Sequence, residues 1–447
     1  MRLSNLDAVP SSVRLPDYDP TARGIGWLHI GPGAFFRAHQ AVYLDRALEF
    51  GGDWRIACVG LRSKASEDAL SAQNCLYSVT SLEDKPITHV VGSIATAQTG
   101  PAAAYKWLTS PQIKVVSLTV TEKGYSADLG NLIAEALVAR HEKNLGSIVF
   151  VSCDNLVGNG LVLRTLVENA LSSENRFILD EHLFACSMVD RITPAVSESE
   201  KSRVCQILGL RDKACVLAEP FSQWVIDEKA QPFLPNLNKC GVQFVPDVSK
   251  FEDMKLRMLN GAHTALALSC VLLGKKTIGE GMKDPVLKNF ASVVMDTAAR
   301  SLSATGERTV SEYKLALIER FENPHVHHNA LQISTDSSVK LSQRILSAAS
   351  DLPRRYWNVA ATTVALWLKY VQETPEFNDV NAEKIKACKS DRERLKLLKH
   401  PLAAQDDFLG MVESRSAFLK SHGVINTLTQ FDASNIGEFS QELIESR

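Results

Sequence analysis

Absences narrow the field first. No C-x-x-C pair occurs in the 447 residues. The nine cysteines stand singly, at Cys58, Cys75, Cys153, Cys186, Cys205, Cys215, Cys240, Cys270 and Cys388. An odd, scattered set argues against a full disulfide framework and fits reduced thiols. No zinc-ligand spacing is present, so no metal site is expected. No apolar run approaches the roughly 20 residues of a membrane span. The opening MRLSNLDAVPSSVRLPDYDP lacks an apolar signal core, and the expectation is a cytoplasmic protein. Basic excess is missing too: 49 Lys and Arg face 51 Asp and Glu, for a formal net charge of -2. Neither a nucleic acid nor a membrane surface is therefore an expected partner. No internal repeat or low-complexity tract is visible.

The remaining composition is that of a soluble globular protein, with 45% hydrophobic and 22% charged residues. The length exceeds what one core usually serves, so two domains are expected. The first half alternates short apolar runs with helical patterns. GWLHI (26–30), WRIACVGL (54–61), KVVSLTV (114–120) and SIVFVSC (147–153) read as strands. They are apolar without strict alternation, which suits a parallel sheet covered on both faces. AHQAVYLDRALEF (38–50) and LGNLIAEALVARHEKN (129–144) read as helices between them. From about Val248 the texture becomes helical, and strand candidates are scarce. FNDVNAEKIKACKSDRERLKLLK reads as a solvated helix pair. The fold class expected is α/β: a Rossmann-like domain over residues 1–247, then a mainly α-helical domain over 248–447.

HIGPGAFFRAHQ follows the first strand and opens a helix. Gly31 and Gly33 match the first two glycines of G-x-G-x-x-G, and Phe36 takes the third position. The first glycine allows a tight turn; the second lets a pyrophosphate approach the backbone. A plain strand–helix turn would read the same way, but its place after the first strand favours a nucleotide. Gly31, Gly33, Ala34, Phe35 and Arg37 are the candidate cofactor residues of this turn. The second strand normally ends in an acid that binds the adenosine ribose. Here Arg62, Ser63 and Lys64 stand there, with Glu67 and Asp68 further on. Cations at this place could accept a 2′-phosphate, so the residues alone leave the preference open; the cofactor expected is NAD, with NADP possible. Glu122 and Lys123 at the tip of the third long strand complete the candidate cofactor set.

KLRMLNGAHTALA (255–267) reads as a buried helix, yet it carries Lys255, Asn260 and His263. At roughly 100° per residue these three span an arc of about 140°. Hydride transfer from an alcohol needs a base for the hydroxyl proton and donors for the oxygen. A partly desolvated lysine can be that base, since burial disfavours its charged form. Asparagine offers a neutral N–H, and histidine can orient a hydroxyl. The bland alternative is a snorkelling lysine, a helix-bending asparagine and a satisfied core histidine. Asn155, in SCDNLVGNG, follows an apolar strand at its C-terminal end, where ligands bind in open α/β sheets; it could also be a turn former.

Taken together these motifs resemble the polyol-specific long-chain dehydrogenases, a family that includes mannitol 2-dehydrogenases and fructuronate reductases. The resemblance covers most of the chain. GPGAFFRAHQAVYLD, SLTVTEKGY, SCDNLVGNG, SMVDRITP and EPFSQWVIDE resemble blocks of its first domain. KLRMLNGAHTALA resembles its K-x4-N-x2-H catalytic block. LIERFENPHVHHNALQISTDSSVKLSQRIL resembles a block of the branch acting on sugar acids. The resemblance implies a metal-independent dehydrogenase with Lys255 as acid and base. It implies that Asn155 and Asn260 hold the reacting oxygen and that His263 positions the substrate. Asp190 and Arg191 are expected to support the site from behind.

One departure stands out. The sugar-acid branch has H-R-T-x-Q-I where this chain reads His328-Asn329-Ala330-Leu331-Gln332-Ile333. A uronate carboxylate wants a bidentate arginine or a lysine. Arg344, Lys340 and His328 are the remaining candidates for substrate binding. The reading leans to a fructuronate reductase, acting in reverse on D-mannonate. A mannitol or arabinitol 2-dehydrogenase is the alternative, and a catalytically inactive dinucleotide-binding sensor the rival of another class. The expected partner is a small-molecule substrate, and the expected assembly a monomer or weak homo-oligomer.

Overall fold

The computed structural model describes residues 2–302, 307–374 and 376–431. The chain forms two compact units, one spanning Met1–Ser249 and the other beginning at Lys250.

The first unit is built on a six-stranded sheet of β1 (Ile25–Ile30), β2 (Arg55–Gly60), β5 (Ile94–Thr99), β6 (Val115–Leu118), β7 (Val149–Ser152) and β8 (Leu183–Ala185). All pairs are parallel, in the order β5-β2-β1-β6-β7-β8. The four strands anticipated from apolar runs are β1, β2, β6 and β7. They are buried on both faces because alternate residues feed two cores. Leu28, Ile30, Val116 and Phe150 pack on one side with Ile133 and Leu137 of the helix Ala127–Glu142. Trp27, Ile56, Val115 and Val149 pack on the other with Ala41 and Leu44 of the helix Gln40–Leu48.

The outer strands β5 and β8 carried no clear signal: β5 is half-polar and β8 has three residues. Two small sheets also went unanticipated. One joins β3 (Tyr77–Ser81), β4 (Thr88–Val91) and β10 (Val216–Ala218). The other joins β9 (Ser187–Asp190), β11 (Gln223–Asp227) and β12 (Gln243–Val245). From β1 the chain winds outward through β2 to β5, then returns to β6 and winds the other way. The carboxyl ends of β1 and β6 therefore flank the point where strand order reverses, the ligand crevice of open α/β sheets.

The described part of the second unit is helical. It opens on one continuous helix of three parts: Ser249–Met254, a π-helical stretch Lys255–Asn260, and α1 (Gly261–Leu272). α1 is buried nearly all round, which marks a central helix. It packs against Pro285–Ala299 and α2 (Trp357–Glu373), and α2 also packs along Asp406–Leu428. The sequence 337–350 forms a second continuous helix with its own π-helical stretch, Ser342–Leu346. The expected solvated pair is present as Ala382–Ala387 and Asp391–Lys396, buried only at Ile385 and Leu395. Among the described residues no helix is long and apolar enough to cross a membrane.

Candidate active site

The glycine turn is shaped by close approach. Gly31 has φ +95°, and a Cβ there would lie 2.3 Å from the Thr119 carbonyl oxygen. Only glycine meets both demands. The Thr119 hydroxyl donates to the Gly31 carbonyl at 2.7 Å, which ties the turn to the end of β6. His29 lies between Ser117 Oγ (2.7 Å) and Thr119 Oγ1 (2.9 Å), and its ring stacks on Phe36 at 3.5 Å between centroids. The residue in the third-glycine position thus fills the strand–helix contact with a buried aromatic pair. Burial lowers the His29 pKa to about 3, so the ring is neutral at physiological pH.

Gly33 differs. It is exposed, and the nearest atom to its Cβ would be the Gly31 carbonyl oxygen at 3.9 Å. Nothing in the protein crowds it, so a side chain there would fill the cradle in front of the turn. That is the space a pyrophosphate takes in G-x-G folds, and the turn fits one. Ala34 and Phe35 begin the short helix Ala34–Ala38. Arg37 Nη1 donates to the Pro32 carbonyl at 2.8 Å, so its guanidinium braces the turn itself.

At the end of β2, Arg62, Ser63 and Lys64 are exposed. The Ser63 hydroxyl accepts from the Ala65 N–H at 3.2 Å. Glu122 and Lys123 are exposed in a short turn beyond β6, and Asn155 is exposed beyond β7. The ends of β1, β2, β6 and β7 thus bring these candidates to the carboxyl edge of one sheet. Behind them, Arg191 donates from Nε to the Glu219 carbonyl at 3.1 Å and from Nη1 to the Ala38 carbonyl. Burial lowers its pKa to about 10, and Asp190 beside it is buried.

In the second unit the π-helical stretch changes the geometry expected of KLRMLN. A π-helix bonds i to i+5, so residues five apart share a face as residues four apart do in an α-helix. Lys255 and Asn260 are five apart and bound the stretch. From Asn260 the helix is α again, where residues three apart share a face, and His263 follows. The face shared by Lys255, Asn260 and His263 is therefore narrower than a regular helix would give. All three are half-buried.

His263 Nε2 lies 2.9 Å from His328 Nδ1, and its ring stacks on Phe321 at 4.9 Å. Burial holds the His263 pKa well below its ordinary value, and nearby His328, Arg344, Arg320 and Lys340 lower it further. Burial, then Arg320, lowers the His328 pKa to about 4. The pair is thus neutral and shares one proton between the facing nitrogens. Arg344, in the second π stretch, donates to the Thr264 hydroxyl at 3.2 Å, and burial lowers its pKa to about 10. Gly261 lets the two π stretches approach, since its Cβ would sit 3.3 Å from the Arg344 carbonyl oxygen. Lys340 Nζ donates to the Ile333 carbonyl at 2.9 Å. Burial, then Arg344, lowers its pKa to about 8, against opposing pulls from Asp336 and Asp379. Asn329, at the position where the resemblance leads to the expectation of an arginine, caps Ala330–Ile333 by accepting from the Gln332 N–H at 2.9 Å.

Two aspartates escaped sequence reasoning because nothing local distinguishes them. Buried Asp379 accepts from Ser338 N (2.8 Å), Ser338 Oγ (2.6 Å) and Asn381 N (2.9 Å), and so anchors the helix that carries Lys340. Buried Asp154 precedes Asn155 and accepts from Thr121 N at 2.7 Å. Among the described residues no group of three or more His, Cys, Asp or Glu could hold a metal ion.

Known proteins resemble this chain along most of its length. Residues 25–239 match the model of the mannitol dehydrogenase Rossmann domain, and residues 247–423 that of the mannitol dehydrogenase C-terminal domain. The chain is 34% identical over 409 residues to D-mannonate oxidoreductase of Escherichia coli K12, covering 81% of this chain and 83% of that protein. It is 32% identical over 402 residues to the polyol:NADP oxidoreductase of Gluconobacter oxydans, covering 80% and 83%. The ternary complex of Pseudomonas fluorescens mannitol 2-dehydrogenase with NAD and D-mannitol superposes with a TM-score of 0.83 at 29% identity, over 96% of this chain and 99% of that one. With both family models matched along most of its length, the chain belongs to the mannitol dehydrogenase family.

Proposed function

We propose that this oxidoreductase moves hydride reversibly between nicotinamide and a secondary alcohol of a sugar acid, of the D-mannonate/D-fructuronate type. The observation that carries the substrate class is the cationic pair Lys340 and Arg344 beside the His263–His328 pair. Both side chains donate to neutral oxygens, a carbonyl and a hydroxyl, and burial depresses the pKa of both. A substrate carboxylate is the counter-charge such a pair favours. The likeness to D-mannonate oxidoreductase supports the same reading.

In this proposal the first unit holds the dinucleotide and the second carries the substrate chemistry. A dinucleotide held at the glycine turn of Gly31 and Gly33 would supply the hydride acceptor for oxidation and the hydride donor for reduction. Lys255 removes the hydroxyl proton during oxidation and gives it back during reduction. Asn260 donates to the reacting oxygen as negative charge develops on it. His263 orients a substrate hydroxyl, and His328 fixes which of its ring nitrogens carries the proton. NAD is the proposed cofactor; Arg62 and Lys64, at the ribose end of β2, also suit a 2′-phosphate.

A second reading, a mannitol or arabinitol 2-dehydrogenase, is favoured by Asn329, whose side chain is used as a helix cap. Initial rates of NAD+ and NADP+ reduction with D-mannonate, D-altronate, D-mannitol and D-arabinitol separate the two. Turnover of the acids alone is the expected result. Turnover of the neutral polyols alone would replace the first reading by the second.

A further inference from the structure

Thr121 lies just beyond β6, at the strand end that borders the crevice. Its backbone has φ 65° and ψ 166°. That region is essentially reserved for glycine, and a β-branched residue in it is held there by its surroundings. The holding group is Asp154. One carboxylate oxygen accepts the Thr121 N–H at 2.7 Å; the other accepts the Val120 N–H at 3.2 Å and the Tyr125 hydroxyl at 3.1 Å. The Tyr125 hydroxyl also meets Ser152 Oγ at the end of β7. Asp154 is buried, while Thr121, Glu122 and Lys123, the tip it holds, are exposed. Two residues before Thr121, Thr119 bonds the Gly31 carbonyl of the glycine turn. One buried carboxylate thus determines the path of the loop beside the phosphate cradle.

We propose that Asp154 is a positioning residue for the cofactor: it clamps Thr121 in a glycine-like conformation and so shapes the β6 loop against which the dinucleotide seats. The inference rests on the dinucleotide reading above. Its chemistry predicts an asymmetry. Asparagine has the shape of aspartate but presents one amide N–H2 where the carboxylate presents an acceptor, so Asp154→Asn sets a donor against a donor. A glycine in place of Thr121 adopts the conformation without help, so Thr121→Gly removes the need for the clamp.

The test is a double-mutant cycle of Asp154→Asn and Thr121→Gly, read by NADH and NADPH fluorescence titration, by steady-state kinetics and by thermal unfolding. Asp154→Asn is expected to weaken binding of the preferred dinucleotide about tenfold, the scale of one lost charge-assisted hydrogen bond. The kcat at saturating cofactor should stay within about threefold, as for loss of uniform binding. The double variant should recover most of the lost affinity. Wild-type affinity in Asp154→Asn overturns the proposal, and so does a fall in kcat with unchanged affinity. If Asp154→Asn does not fold, the double variant decides: folded and binding, it supports the clamp; unfolded or equally weak, it overturns it. Should the wild type bind neither NADH nor NADPH, the dinucleotide reading fails on its own. The cofactor role falls with it, and the Tm values then report whether the clamp itself exists, by a smaller loss from Asp154→Asn in the Thr121→Gly background.

Discussion

On the proposed function, the two units prepare for ligand by opposite means. The first uses backbone: a glycine turn, exposed strand ends and a bent loop, all at the carboxyl edge of one parallel sheet. The second uses side chains on two helices that each depart from α geometry where they carry those side chains, Lys255 and Asn260 in one π stretch and Arg344 in the other. Backbone groups suit a phosphate-bearing cofactor, which needs N–H donors and close approach. Side chains suit a substrate that must be oriented and deprotonated. The difference teaches that an irregular helix can do for side chains what a glycine turn does for the main chain: it places groups where a regular element cannot.

The largest expected break in this comparison is Lys255→Ala. Loss of the proton acceptor should lower kcat by about 10³-fold, within the range of general acid–base catalysis. NADH affinity, which the proposal assigns to the first unit, should change less than about twofold, measured by fluorescence titration. Unchanged turnover would remove lysine from the mechanism.

Next comes Arg344→Met, which keeps volume and deletes charge. Its KM for D-mannonate should rise by about 30-fold, the value of one buried charge-assisted contact. A neutral polyol tested beside it should be nearly unaffected. An equal loss on acid and polyol would mark Arg344 as structural.

The two glycines sharpen the contrast within the first unit. Gly31→Ala places a Cβ 2.3 Å from a carbonyl oxygen at φ +95° and should destabilise by about 3 kcal/mol. Gly33→Ala meets nothing closer than 3.9 Å and should leave Tm nearly unchanged while weakening dinucleotide binding about tenfold. Equal unfolding temperatures for the two variants would contradict the geometry of the turn.

The smallest effect is a pH dependence confined to the second unit. Burial lowers the Lys340 pKa to about 8. The amine is therefore cationic below that pH and neutral above it. The KM for a sugar acid should climb as pH passes from about 7 to about 9, by a few-fold, and the KM for a neutral polyol should not follow. A bound carboxylate would raise the amine's pKa, which moves the break upward in the complex. A flat acid KM would show that Lys340 does not meet the substrate charge.

Much of the first unit was legible because its signals are local. β1, β2, β6 and β7 announce themselves as short apolar runs, and Gly31 and Gly33 by their G-x-G spacing directly after the first of those runs. β5 and β8 were missed because an outer strand carries a weaker apolar pattern. Phe36 was seen only as an absent glycine; that it stacks on His29 depends on two elements meeting. In the second unit the triad Lys255, Asn260 and His263 was visible as polar residues in an apolar helix, but the π stretch that aligns them was not. The face they share follows from a hydrogen-bond register, which no residue spacing encodes. Asp154 and Asp379 gave no signal because an aspartate in a loop is ordinary until its partners are known, and those lie 33 and 41 residues away.

By itself the sequence determined the α/β-then-helical order, the glycine turn and the chemical types available for a hydride transfer, because apolar periodicity and backbone permissiveness are properties of neighbouring residues. Tertiary structure alone decided the strand order that opens the crevice between β1 and β6, the pairing of His263 with His328 across 65 residues, and the meeting of the two π stretches at Gly261 and Arg344. Each of these is a contact between segments distant in sequence, and its energy exists only once the chain has closed around it.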